Sequence, residues 1–108
     1  MGIDEIIISS HTMLATASAI KFAGGVPIPV DIGDDNLICP KSIENAITNK
    51  TVGIMPTQLN GRVCDMDKIL EIARKYNLYV LEDCAQCHLG KDNKGRLAGT
   101  CGDAGSWS

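Results

Sequence analysis

"LYVLEDCAQCHLG", residues Leu78–Gly90, decides between two unrelated folds. Read through its thiols, it holds Cys84, Cys87 and His88 in the Cys-x-x-Cys-His spacing of a c-type haem attachment, a signature of small helical proteins. Read from its start, Leu78–Asp83 is an apolar strand that closes on a carboxylate, Asp83, with the amide of Gln86 following shortly after. The second reading predicts a sheet and puts the chemistry on Asp83 and Gln86.

The residues around this stretch favour the sheet. Before it, "DMDKILEIARKYN" (65–77) has helical periodicity, with Asp65 as N-cap and Ile69, Leu70, Ile72 and Ala73 on one side. Earlier still, "TVGIMP" (51–56) and "DEIIIS" (4–9) are short β-rich runs of the kind buried in parallel sheets. "TMLATASAIKFAGG" (12–25) reads as a helix stopped at Gly24-Gly25, and "PKSIENAI" (40–47) as a helix opened by Pro40. "VPIPVDI" (26–32) is extended, and its Pro27 and Pro29 restrict it to an edge or a bulged strand. "GDDN" is a turn at Asp34-Asp35, "TQLNGRV" a loop, and "KDNKGR" (91–96) a hairpin before a last strand in "GDAGSWS". The order β-α-β-α-β-α-β predicts a mostly parallel sheet with helices on both faces, a three-layer α/β/α domain.

Composition excludes several function classes. With 108 residues the chain is one domain, and its 44% hydrophobic and 21% charged residues are ordinary for a globular protein. A net charge of −3 leaves no basic footprint for phosphate neutralisation, and one Phe, one Trp and two Tyr make no stacking platform for bases. No nucleic-acid partner is expected. No run is long and apolar enough to span a bilayer, and the opening "MGIDEIIISS" has no export signal, so no membrane association is expected. Five cysteines are an odd number that fits reduced thiols in the cytoplasm. That compartment argues against covalent haem, with Met55 or Met66 as its distal ligand, since such attachment takes place outside the cytoplasm.

Two other sites built on the same motif are weak. Zinc held by Cys84, Cys87, His88 and Cys101 lacks a second paired set of ligands, and a thioredoxin-like Cys-x-x-Cys lacks the matching surroundings. Cys84 and Cys87 read better as small packed residues and His88 as a loop histidine, so no metal is expected. A phospho-acceptor module with Asp83 as acceptor would need acids at the carboxyl end of the first strand, but Asp4 and Glu5 lie at its start. Asp65 and Asp67 complement a helix N-terminus. Arg62 and Arg96 read as solvated surface residues, with a substrate phosphate or a partner subunit as the alternative.

Ligands of an open parallel sheet bind beyond the carboxyl ends of its strands. Those positions are Ser10 to Met13, Thr57-Gln58, and Asp83 to Gln86. Glycines in neither the dinucleotide nor the P-loop spacing follow any strand. A carboxylate at a buried strand end suits the pyridine nitrogen of pyridoxal 5'-phosphate, whose proton it retains, and Gln86 could reach the ring oxygen.

"VLEDCAQCHLG" resembles the Glu-Asp-x-Ala-Gln-x-x-Gly segment of the DegT/DnrJ/StrS family, pyridoxal-phosphate-dependent sugar aminotransferases. The resemblance extends through "DEIIISSHTMLATASAIKFAGGVPIPVDI", "NKTVGIMPTQLNGRVCDMDKILEIARKYNLYVLEDCAQ" and "GRLAGTCGDAGSWS", in that order. It implies the aspartate-aminotransferase-like large domain, fold type I of pyridoxal-phosphate enzymes. It further implies amino transfer, commonly from glutamate, to a keto group on a nucleotide-linked sugar, by a homodimer. By the same resemblance Asp83 pairs with the ring nitrogen, Gln86 lies near the ring oxygen, and Ser108 binds the cofactor phosphate. Met13 stands where many members carry an aromatic ring over the pyridine, a departure that a thioether can still serve. Thr12 and Gln58 are further candidates to face the pocket.

On this resemblance residues 1–108 are the central part of the large domain. The Schiff-base lysine beyond Ser108, an N-terminal phosphate-binding segment and a C-terminal small domain are expected to lie outside them, leaving the isolated piece inactive. The related dehydratases, which carry histidine in the lysine's place, and a non-catalytic binding or regulatory role are the alternatives.

Overall fold

Every apolar run named above becomes a strand of one sheet. The computed structural model describes residues 4–107. It contains β1 (Glu5–Ser9), β2 (Val26–Val30), β3 (Thr51–Met55), β4 (Tyr79–Asp83) and β5 (Ala104–Ser106). They lie in the order β2-β1-β3-β4-β5, and all neighbouring pairs are parallel. Three helices intervene: α1 (Leu14–Phe22), α2 (Pro40–Ala46) and α3 (Met66–Tyr76).

Handedness assigns the helices to faces. The chain steps from β1 outward to β2, then reverses across β1 to β3 and continues to β4. Right-handed crossovers therefore put α1 on one face and α2 with α3 on the other. The second face holds the core, where Ile7, Val30, Ile54 and Val80 of the strands meet Ile43 of α2 and Ile69, Ile72 and Ala73 of α3. On the first face α1 buries only Thr16 and Ile20, and it rests on β1 and β2. Leu14 and Phe22 of α1 point outward and are exposed.

Local chemistry sets the boundaries. Asp65 accepts from the backbone of Lys68 as the N-cap of α3, and Pro40 occupies the first turn of α2, both as expected. α1 starts at Leu14, two residues later than its pattern suggests, because Thr12 is bonded to Thr57 beyond β3 and holds the entry segment extended. Its end follows a Schellman pattern: Gly25 N–H reaches the Ile20 carbonyl, Gly24 N–H reaches Lys21, and Gly24 supplies φ +89°.

The prolines settle as an edge. β2 is the outermost strand, with an unbroken register against β1. Val26 donates to Asp4 and Val30 accepts from Ser10, so Pro27 and Pro29 turn their nitrogens away from the sheet.

Between β4 and β5 no helix forms. A long loop, Cys84 to Asp103, carries the crossover, and the expected hairpin lies within it, closed by a Lys91–Leu97 bridge. Asp92 caps that hairpin by accepting from the backbone of Lys94 and Arg96. Arg96 is not free in solvent, as its sequence context suggested. It pairs with Asp92 at 2.7 Å and Asp67 at 2.9 Å, and Lys94 also pairs with Asp67. Those hydrogen bonds hold the Asp67 carboxyl below its ordinary range. Arg62 likewise donates to the backbone carbonyl of Asp35 at 2.9 Å, while Asp35 closes its turn onto Leu37 N–H.

Candidate active site

Strand alternation sends the two carboxylates of "LED" to opposite faces. Val80 and Glu82 face the α2/α3 core, whereas Leu81 and Asp83 face α1. Register continues the α1-side row: Ile8 pairs with Met55 and Asp83 with Ser106. Because α1 covers only β1 and β2, this side of β3, β4 and β5 remains a groove of about 400 Å³. Its lining includes Thr12, Met13, Met55, Asp83, Gln86 and Ser106. It lies where β1 and β3 are adjacent but their connections diverge, the switch point at which such sheets bind ligands.

Asp83 is held on both oxygens. Oδ2 accepts from the Thr16 hydroxyl at 2.7 Å, and Oδ1 accepts from Ala85 N–H at 3.3 Å. The Thr16 hydroxyl lies 2.9 Å from that of Thr12, which lies 2.9 Å from that of Thr57. Gln86 is fixed through its backbone carbonyl, which accepts from Gly61 N–H, and its Oε1 accepts from Asn60 N–H at 3.4 Å. Among the described residues its side-chain NH₂ meets no protein acceptor, so it is available to the groove. Met13, at the N-cap of α1, is 62% exposed and forms the rim.

Asp83, Gln86, Met13 and Thr12 thus converge, as the sequence suggested. Ser108 lies outside the described residues. Gln58 does not face the groove. It is fully buried on the other face, donating to Glu82 at 2.9 Å and accepting from Cys64 N–H at 2.7 Å. Thr57 takes the groove-facing position, and alternation turns its neighbour inward. Thr57 was among the strand-end positions named from the sequence, but two polar groove residues, Thr16 and Ser106, were not. Thr16 follows Thr12 at helical i, i+4 spacing, a signal that was there to find.

Glu82, also missed, is fully buried beneath Asp83. Its oxygens accept from Gln58 Nε2 and from the backbone N–H groups of Gly99, Cys101 and Gly102, at 2.7–2.9 Å. All these partners are donors, the set that suits an ionised carboxylate. The loop entering β5 is therefore wrapped around one side chain.

The thiol reading fails on geometry. Cys84 and Cys87 are buried against Ala98, whereas His88 is exposed. Among the described residues no group of three His, Cys, Asp or Glu side chains is placed to hold a metal ion. Burial first, and then the Glu82 carboxylate, pushes the Cys84 thiol up to about 12. Burial likewise brings Cys64 to about 12 and raises Cys87. Hydrogen bonds from the backbone and side chain of Ser42 instead lower Cys39. A thiol titrating near 12 carries thiolate in only about one molecule in 10⁴ at pH 8. Alkylation of the folded protein at pH 8 is accordingly expected to label Cys39 first, and Cys64, Cys84 and Cys87 only after denaturant. Peptide mapping by mass spectrometry reads this directly, and early labelling of Cys84 would contradict the burial.

A second cavity, of about 450 Å³, lies between α2 and α3, lined by Lys41, Lys68 and Glu71 among others, with Lys75 bonded to Glu44 at 3.0 Å. None of its lining residues lies on a strand, and Lys75 with Glu44 is the one ion pair among them. The groove at Asp83 is the better chemical site.

The family model described as "DegT/DnrJ/EryC1/StrS aminotransferase family" matches residues 1–108. The chain belongs to this family. It is 46% identical over 107 residues to the dTDP-3-amino-3,6-dideoxy-alpha-D-galactopyranose transaminase of Aneurinibacillus thermoaerophilus, covering 97% of this chain and 29% of that protein. The X-ray structure of the aminotransferase from Psychrobacter cryohalolentis superposes with a TM-score of 0.93 at 43% identity, over 97% of this chain and 27% of the other. NtdA from Bacillus subtilis, solved with bound cofactor PMP, gives a TM-score of 0.79 at 41% identity, over 89% of this chain and 22% of the other. This member of the DegT/DnrJ/EryC1/StrS family therefore spans between a fifth and a third of the length of these proteins, and has their parallel-sheet α/β fold.

Proposed function

We propose that the chain supplies the carboxylate wall of the cofactor site in a pyridoxal-phosphate-dependent aminotransferase acting on a nucleotide-linked keto sugar, with glutamate as amino donor. The observation that carries this reading is Asp83, held by Thr16 at the carboxyl end of β4 and facing a groove at the switch point. The groove suits a planar ring: Met55, Leu81 and Ala85 provide apolar walls, and Asp83 offers the one carboxylate among its lining residues. When bound, the cofactor supplies an electron sink for the amino carbon.

The protein's own residues do the rest. Asp83 holds a proton on the ring nitrogen, which keeps the ring electron-poor. Gln86 donates its free amide toward the ring oxygen. Met13 covers one ring face with a polarizable thioether. Ser108 is assigned to the cofactor phosphate by family resemblance.

Residues 1–108 are read as the central part of a larger cofactor domain. The lysine that anchors the cofactor, a second phosphate-binding segment and a small domain belong to the full-length protein, read as a cytoplasmic homodimer. The five free thiols and the exposed Leu14 and Phe22 of α1 support that reading. Among the described residues, no helix is long and apolar enough to cross a membrane. The full-length protein is expected to take up pyridoxal phosphate, with a visible absorbance band, and to lose that band when glutamate is added. A full-length protein that takes up no cofactor at saturating concentration would overturn the proposal.

A further inference from the structure

We propose that Thr57, Thr12 and Thr16 form a proton-ordered hydroxyl chain that ends on Asp83 and positions both the carboxylate and the Met13 rim of the groove. This rests on the cofactor reading above. The order follows from counting protons. Each hydroxyl donates once. Thr16 donates to Asp83 Oδ2 at 2.7 Å, so at its 2.9 Å contact with Thr12 it accepts. Thr12 has then donated to Thr16 and accepts at its 2.9 Å contact with Thr57. Every proton points toward the carboxylate, an arrangement in which each bond polarises the next.

The chain joins segments far apart in sequence. Thr57 follows β3, Thr12 precedes α1, Thr16 lies in the first turns of α1, and Asp83 ends β4. Thr16 and Thr57 are only 4% and 3% exposed, so the bonds are shielded from competing water. Thr12 carries Met13 as its neighbour, so the chain that aims Asp83 also holds the residue at the rim of the groove. The threonines are positioning residues, since they act through Asp83 and Met13.

The test is a double-mutant cycle in the full-length protein with two readouts. Thr16→Val preserves shape and removes the hydroxyl. Losing a hydrogen bond to a charged group weakens pyridoxal-phosphate binding roughly ten-fold or more, while Thr16→Ser, which restores the donor, binds within about two-fold of wild type. Urea unfolding of the cofactor-free protein is the second readout. Thr16 and Thr57 touch only through Thr12, and a Thr12 hydroxyl that no longer donates to Thr16 accepts less strongly from Thr57, so Thr57→Val is expected to destabilise Thr16→Val by less than it destabilises the wild type. Additive losses would overturn the chain, whatever the cofactor. Wild-type binding by Thr16→Val, or failure of Thr16→Ser to rescue, would overturn its positioning role. A coupled cycle in a protein that takes up no cofactor would strike down the function reading and the positioning role together, leaving the chain as a structural feature.

Discussion

Asp83→Asn in the full-length protein is expected to lower turnover about 10²- to 10³-fold, the usual effect of removing one preorganised charge from a reacting centre. The substitution is nearly isosteric. The asparagine oxygen still accepts from Thr16, so the fold and the groove survive. What disappears is the negative charge that, on the function proposed above, keeps a proton on the ring nitrogen. Cofactor uptake should fall less than turnover, because Gln86 and Met13 remain in place. Steady-state kinetics beside an absorbance titration separates these effects. Unchanged turnover would show that Asp83 is only a strand-end residue and would return attention to other parts of the groove.

Glu82→Leu is expected to cost about 3–5 kcal/mol of stability, because it leaves buried donors without their acceptor. Gln58 Nε2 and the N–H groups of Gly99, Cys101 and Gly102 all converge on the lost carboxylate. Glu82→Gln is the sharper variant. It preserves size, yet one arm of its amide carries protons toward groups that can only donate, so it too should destabilise, by about 2 kcal/mol. The loop so released leads directly into β5, where Ser106 stands beside Asp83. Denaturant melts of the two variants against wild type measure the loss, and near-wild-type stability of both would show that water or loop rearrangement replaces the carboxylate. Two adjacent acids in "LED" thus have separate work: Asp83 serves the groove and Glu82 builds the wall behind it.

Much of this was legible before the fold was known. The β-branched runs, the Asp65 cap, Pro40, Gly24 and the edge-restricting prolines act through local physics, and each appears where local physics puts it. Asp83, Gln86 and Met13 could be placed together because strand ends converge in any parallel sheet. Gln58 was misplaced for want of one further step: with Thr57 facing the groove, alternation sends Gln58 inward. Glu82 was harder. Its partners are backbone N–H groups 17–20 residues later, and backbone donors carry no signature in the sequence. The ion pairs of Arg96 were hidden likewise, since one partner, Asp67, lies 29 residues earlier on α3.

The outward nitrogens of Pro27 and Pro29 also bear on how this sheet meets other sheets. A strand approaching β2 from outside would find carbonyl oxygens but no N–H at those positions, so it could not complete a ladder. Unfolded or newly made copies therefore cannot dock edge-to-edge on that side, and β2 serves as a built-in guard against aggregation. Growth of the sheet is directed to the β5 side instead.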